Sequence, residues 1–300
     1  MDIYWLEQTE ADVPAENQWL SPKEMLRLSG MRFAKRQNDW RLGRWTAKRA
    51  IATCFNLHND LHSFANIEIG TAPSGAPEVF LFNKPAAAAI SLSHSVGTAM
   101  CAISPFGASL GCDLEMIEVR SDAFVADYFT ANEQALVEQA SQEERSMLVT
   151  LLWSAKESAL KALHVGLRLD TNCVDVRLAD PLPPTGYGLW PDKRPISLLT
   201  SEAGHRSGGP EDWRPLQVLF RDAPIFRGWW RDADHMVRSV VSKIADGHES
   251  HFVPPQCAIK TCGPETASGR LEGRARPGRF QPDDRLAPSN AWTAYRVTTV

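Results

Sequence analysis

Apolar and polar positions follow two different periods along this chain. Between Glu143 and Leu163, Leu148, Leu152, Ala155, Ala159 and Ala162 recur at i, i+3 and i+4 spacing, which predicts a helix with that stripe against a core. Ser154, Glu157, Ser158 and Lys161 recur on another face, so a carboxylate and an ammonium lie one turn apart. A solvated Glu–Lys pair, worth ~0.3 kcal/mol, would account for that face by itself. In Gly111-Cys112-Asp113-Leu114-Glu115 the period is two, and it predicts a strand with Asp113 and Glu115 on one side. Taken alone, the two acids would read as the polar face of an edge strand. Together with Glu157 they make three carboxylates on two rigid elements, a set able to converge on one hard cation such as Mg²⁺.

The remaining pattern supplies the flanking elements. Ile3–Leu6 reads as an opening strand, and Ser21-Pro22-Lys23-Glu24 as a capping box that starts a helix ended by Gly30. A longer helix is predicted from Arg32 to Phe55, with Arg36, Trp40, Arg44 and Lys48 on nearby turns. Strands are predicted at Ile67–Ile69 and Val79–Phe82 around a turn at residues 73–77. Ala89–Ser93 forms another, ending on Ser93 and His94. Thr98–Ile103 and Ser109–Glu115 predict a hairpin around Pro105-Phe106-Gly107. Thr130-Ala131-Asn132-Glu133 is a second capping box, and Val174–Leu178, Trp213–Phe220 and His235–Val241 read as strands with Gly228-Trp229-Trp230 between the last two.

Composition narrows the class. With 43% hydrophobic and 23% charged residues, the 300-residue chain can build one large core or two packed halves. A net charge of -4 gives no reason to expect nucleic acid. The six cysteines contain no CxxC pair and read as free thiols of a reducing cytoplasm. Neither a signal peptide at the start nor a run of ~20 apolar residues is visible, so no membrane association is expected. The stretch 180–215 is rich in Pro, Gly and Ser and reads as loops. Residues 256–300 mix charges with Gly, Pro and Ser without an apolar period, and read as a disordered tail.

One more segment, Ile90-Ser91-Leu92-Ser93-His94-Ser95, completes a constellation. S-L-S-H-S, G-C-D-L-E and W-S-A-K-E-S-A-L-K, in this order and spacing, resemble the 4′-phosphopantetheinyl transferases of the Sfp type. The resemblance covers about residues 1–245. It implies an α+β fold of two pseudo-symmetric halves, residues 1–116 and 117–245, with the active site at their interface, although no internal repeat is visible by eye. It implies transfer of 4′-phosphopantetheine from coenzyme A to a serine of an acyl or peptidyl carrier protein by a cytoplasmic monomer. The carrier could serve nonribosomal peptide, polyketide, siderophore or fatty acid assembly. Mg²⁺, or Mn²⁺, would be held by Asp113, Glu115 and Glu157. Glu157 would take the serine proton, directly or through water, and Lys161 would stabilise the departing phosphate. Ser93 and His94 would hold the diphosphate, Arg36, Arg44 and Lys48 the nucleotide end, and Lys156 would support coenzyme A. Glu133 is a second candidate near the metal. The family turn that reads G-K-P or G-R-P has Ala76 here, so one phosphate contact is missing, with Lys84 a substitute. A coenzyme A-binding module with lost or weak transfer, or a Mg²⁺-dependent nucleotide phosphohydrolase, is the alternative.

Overall fold

The computed structural model describes residues 3–58, 60–105, 107–178, 213–220, 223–243 and 255–257. Among these residues, twelve strands and six α-helices follow in order. They are β1 (Tyr4–Thr9), α1 (Pro22–Ser29), α2 (Ala34–Cys54), α3 (Leu61–Phe64), β2 (Ile67–Thr71), β3 (Pro77–Leu81), β4 (Lys84–Pro85), β5 (Ala89–Ser95) and β6 (Thr98–Ser104). Then come β7 (Leu110–Met116), α4 (Asp122–Tyr128), α5 (Ala131–Gln139), α6 (Gln142–Ala162), β8 (Val174–Leu178), β9 (Arg214–Phe220), β10 (Ala223–Ala233), β11 (Met236–Lys243) and β12 (Gln256–Cys257). The fold is α+β. No described helix is long and apolar enough to cross a membrane.

One sheet runs β12-β1-β6-β5, a second β7-β11-β10-β9-β8, and a small third β2-β3-β4. Each large sheet carries one 21-residue helix, α2 or α6, and two apolar cores form, the first also taking in Leu114, Trp229 and Val240 of the second sheet. The first core includes Trp19, Trp45, Ile51 and Ile90. The second includes Leu148, Leu152, Ala155, Ala159 and Ala162, the predicted stripe of α6.

The two halves repeat a plan. In the first, β1 pairs antiparallel with β6, and β6 with β5 through a turn at Val96 and Gly97, both at positive φ (46° and 72°). In the second, β7 pairs antiparallel with β11, and β11 with β10 through Asp234 and His235, again at positive φ (53° and 58°). Such two-residue turns match the twist of the strands they join. Each half also has a capped short helix before its long one. Ser21 N–H donates to Glu24 Oε2 (2.9 Å) and Thr130 N–H to Glu133 Oε2 (2.8 Å). The other oxygen of each glutamate accepts from a strand, Ile69 N–H (3.1 Å) or Val176 N–H (2.8 Å). A lysine of the long helix closes each set: Lys48 Nζ lies 2.5 Å from Glu24 and Lys156 Nζ 2.7 Å from Glu133.

Three expectations change. The predicted hairpin of β6 with β7 does not form: β6 turns back onto β5 at Val96-Gly97, and β7 crosses to the second sheet. A division after residue 116 therefore cuts β7 from its sheet, because the sheets change between Ser104 and Leu110. Between the last two predicted strands, Gly228-Trp229-Trp230 forms the middle of a further strand, β10. Gln256 and Cys257, assigned to the tail, pair in parallel with Tyr4 and Trp5. The remaining tail and the loops through residue 212 lie outside the described residues.

The G of G-C-D-L-E has a packing cause. A Cβ at Gly111 would stand 1.8 Å from the Ser158 carbonyl oxygen and 2.8 Å from Ala162 N. Helix α6 rests on β7 at backbone contact, and only glycine permits it. Gly111→Ala is expected to destabilise the protein by about 3 kcal/mol through overpacking. Chemical denaturation at unchanged midpoint would contradict this packing.

Candidate functional site

The close approach at Gly111 sets Lys161 of α6 against Asp113 of β7. Lys161 Nζ donates to Asp113 Oδ1 at 2.7 Å and to Ser93 Oγ at 3.2 Å, and lies 3.7 Å from Glu157 Oε2. Ser93 Oγ also donates to Asp113 Oδ1 (2.8 Å). Asp113 and Lys161 are each only 2% exposed, so the predicted polar face of α6 is not solvated. Ser154 and Ser158, on the same face, both bond Ser239 Oγ of β11 (2.8 Å each).

Ser93 comes from the other sheet. Ser91 Oγ accepts from Cys112 N–H (2.9 Å) and fixes β5 beside β7, although the two strands share no ladder. A two-pronged pair, Arg238 Nε and Nη2 to Glu7 Oε2 and Oε1 (2.6 Å each), ties β11 to β1. Asp113, Lys161, Glu157 and Ser93 therefore meet where the two large sheets join.

Burial and crowding set the charges. Burial pulls the Lys161 ammonium down, but the Asp113 and Glu157 carboxylates outweigh it and hold it above its ordinary range. Burial, then the Asp113 charge, raises the Glu157 carboxyl, with Lys161 and Arg120 opposing. Glu115 is pushed up to about 7 by burial and by Asp113. Three carboxylates thus repel one another across a partly dry site. Among the described residues no three His, Cys, Asp or Glu side chains converge tightly enough to hold a metal ion as they stand. Oδ2 of Asp113 is nevertheless buried without a hydrogen bond among the described residues. An orphaned carboxylate oxygen beside two mutually repelled carboxyls is a hard-oxygen donor set that a divalent cation would relieve, so the residues fit such an ion chemically.

The other expected site residues are dispersed. His94 is exposed and, by strand alternation, faces away from Ser93. Arg36 is exposed and lines a surface groove of about 440 Å³ with Leu26, Arg27, Met31, Arg32 and Phe33. Arg44 is 4% exposed, stacks on Trp40 at 5.1 Å, and is pulled down to about 10 by burial. Lys48 and Lys156 depart from the expected contact with coenzyme A. Lys48 directs its ammonium to Glu24 and to the carbonyls of Trp19 (2.9 Å) and Phe64 (3.0 Å), Lys156 to Glu133 and the carbonyls of Thr171 (2.9 Å) and Val174 (2.5 Å). Three partners use all three N–H donors of each, leaving none for a ligand. Glu133 belongs to that buried pair and not to the Asp113 cluster. Ala76 is fully buried, and Arg168 Nη2 reaches the carbonyl of neighbouring Ser74 (3.5 Å) from the second half.

Sequence reasoning missed the pairing role of the two lysines. The available signal was the capping box itself, since a lysine follows Glu24 by 24 residues and Glu133 by 23. It also missed Arg120, whose Nη2 lies 3.3 Å from Glu115 Oε2. No periodic pattern marks an arginine in a connection.

Residues 109–213 match the family model of the 4′-phosphopantetheinyl transferase superfamily. The match spans Asp113, Glu115, Glu157 and Lys161 and leaves Ser93, His94 and Arg36 outside it. No match to a curated protein is found.

Lys156→Met should cost about 4 kcal/mol, because it strands a buried Glu133 carboxylate. Adding Glu133→Gln should recover part of the loss. Intact stability with weakened coenzyme A binding would instead mark Lys156 as a ligand contact.

Proposed function

We propose that this protein transfers 4′-phosphopantetheine from coenzyme A to a serine hydroxyl of a carrier protein, releasing adenosine 3′,5′-bisphosphate, as an Sfp-type enzyme acting as a cytoplasmic monomer. The observation that carries the reading is the buried Lys161–Asp113 contact with Ser93 and Glu157 around it, inside a stretch that matches this superfamily. Phosphopantetheine transfer in general follows from the match. The carrier, the metal and the by-product are the finer proposal.

The reaction brings a neutral hydroxyl to a phosphorus already surrounded by negative charge, so it needs cations, in-line positioning and a proton acceptor. Asp113, Glu115 and Glu157 would hold Mg²⁺ or Mn²⁺, which when bound supplies charge neutralisation at the diphosphate. Glu157, its carboxyl raised by burial and by the Asp113 charge, is suited to receive the serine proton. Lys161 stays charged beside Asp113 and faces Ser93, where it can stabilise the departing phosphate oxygen. Ser93 would bond the diphosphate. Arg36 and Arg32, in a groove of ligand-sized volume, would meet the nucleotide end. Arg168, which reaches the Ser74 carbonyl, would replace the cation that Ala76 lacks.

Apo carrier domains incubated with the protein, coenzyme A and Mg²⁺ should each gain one phosphopantetheine by intact mass, with no gain in EDTA. Free phosphopantetheine with an unmodified carrier would point to a phosphohydrolase. Bound coenzyme A without turnover would point to a binding module. Glu157→Gln should lower the transfer rate at least ~100-fold while circular dichroism stays unchanged, since Lys161 keeps Asp113 and Ser93 as partners. Lys161→Ala should reduce the single-turnover rate more than it weakens coenzyme A binding. An unchanged single-turnover rate would remove its leaving-group role.

A further inference from the structure

The site contains a second cation to which the transfer chemistry assigns no role. Arg120 lies in the connection between β7 and α4. Its Nη2 stands 3.3 Å from Glu115 Oε2 and 3.3 Å from Glu118 Oε1. The guanidinium carbon sits 4.8 Å from the ring centre of Phe124 and 6.0 Å from that of Trp153. Those rings belong to an aromatic triangle with Tyr128, at centroid distances of 4.9, 5.1 and 5.2 Å. Arg120 Nε is buried and has no hydrogen-bond partner among the described residues. The head group is thus half committed to a carboxylate and half to a stacking surface.

Those two contacts differ in kind. The oxygen that Arg120 holds on Glu115 is one that a divalent cation would need. The rings can accept a planar, weakly hydrated guanidinium without any carboxylate. Without Arg120, the three carboxylates would face Lys161 alone.

We infer that Arg120 is a built-in counter-ion, a positioning residue that occupies Glu115 until a divalent cation displaces it, with the Phe124–Trp153 surface receiving the released guanidinium. The inference rests on the proposed Asp113–Glu115–Glu157 metal site. It accounts for two observations at once: the acids do not converge as they stand, and the tryptophan of W-S-A-K-E turns toward an arginine rather than only into the core. The exchange moves no covalent bond. One cation leaves Glu115 as another arrives, so the carboxylate stays paired throughout.

The test is titration of Mn²⁺ into the full-length protein without coenzyme A or carrier, followed by electron paramagnetic resonance. Arg120→Gln removes the competitor and should bind Mn²⁺ roughly fivefold more tightly than the wild type. Arg120→Lys keeps the charge but loses the planar stack, and should fall between the two. Melting in chelator should show the Gln variant less stable than the wild type, with a larger rise on adding Mn²⁺. Equal or weaker Mn²⁺ binding by a folded Gln variant overturns the inference while leaving the metal site standing. If the Gln variant does not fold, the Lys variant decides alone, and affinity at or below the wild type overturns it. Wild-type protein that binds no Mn²⁺ overturns the metal reading and this inference together.

Discussion

Everything at the junction of the two halves depends on one backbone contact, α6 resting on β7 at Gly111. The absence of a side chain there brings the Lys161 ammonium within 2.7 Å of Asp113 in an almost dry setting. Burying a charge is costly unless it is paired and further hydrogen-bonded. Lys161 meets that condition with Asp113, Ser93 and Glu157, and Ser93 belongs to the opposite sheet. The same contact that makes the buried charge tolerable therefore couples the halves and assembles the chemistry.

The two halves share a framework but not a site. Glu24–Lys48 and Glu133–Lys156 do the same work, joining a capped helix, a long helix and a strand. Counting back from the matching hairpin turns, Leu6 and Gln8 stand in β1 where β7 has Asp113 and Glu115. Counting on from the paired lysines, Arg49 and Thr53 stand where α6 has Glu157 and Lys161. Among the described residues, the two strand acids and the lysine paired with Asp113 stand in one half alone. The other half contributes Ser93 and the arginine-lined groove.

Much of this was legible from pattern. Periods of 3.6 and two located α2, α6, β1 and β7, and the capping boxes at Ser21 and Thr130 located two helix starts. Those signals are local, and local signals survive in a sequence. Strand partners are not local: β7 follows β6 closely, yet Val96-Gly97 had already turned β6 back onto β5. Lys48 and Lys156 looked like ligand contacts because a lysine on a helix shows its charge and not its burial. Both are fully enclosed, and their partners lie in segments distant in sequence. The repeat escaped notice because only the glutamate and lysine of each framework are alike, while the residues between them diverge.

We propose that a divalent cation and the diphosphate of coenzyme A meet at the junction of Asp113, Glu115 and Glu157. A crystal of the protein grown with coenzyme A and Mn²⁺, measured at a wavelength where manganese scatters anomalously, tests it most directly. The account predicts one strong anomalous peak bounded by oxygens of those three residues, with the diphosphate density reaching Lys161 and Ser93. Coenzyme A bound away from this junction, or manganese held by other side chains, would contradict it.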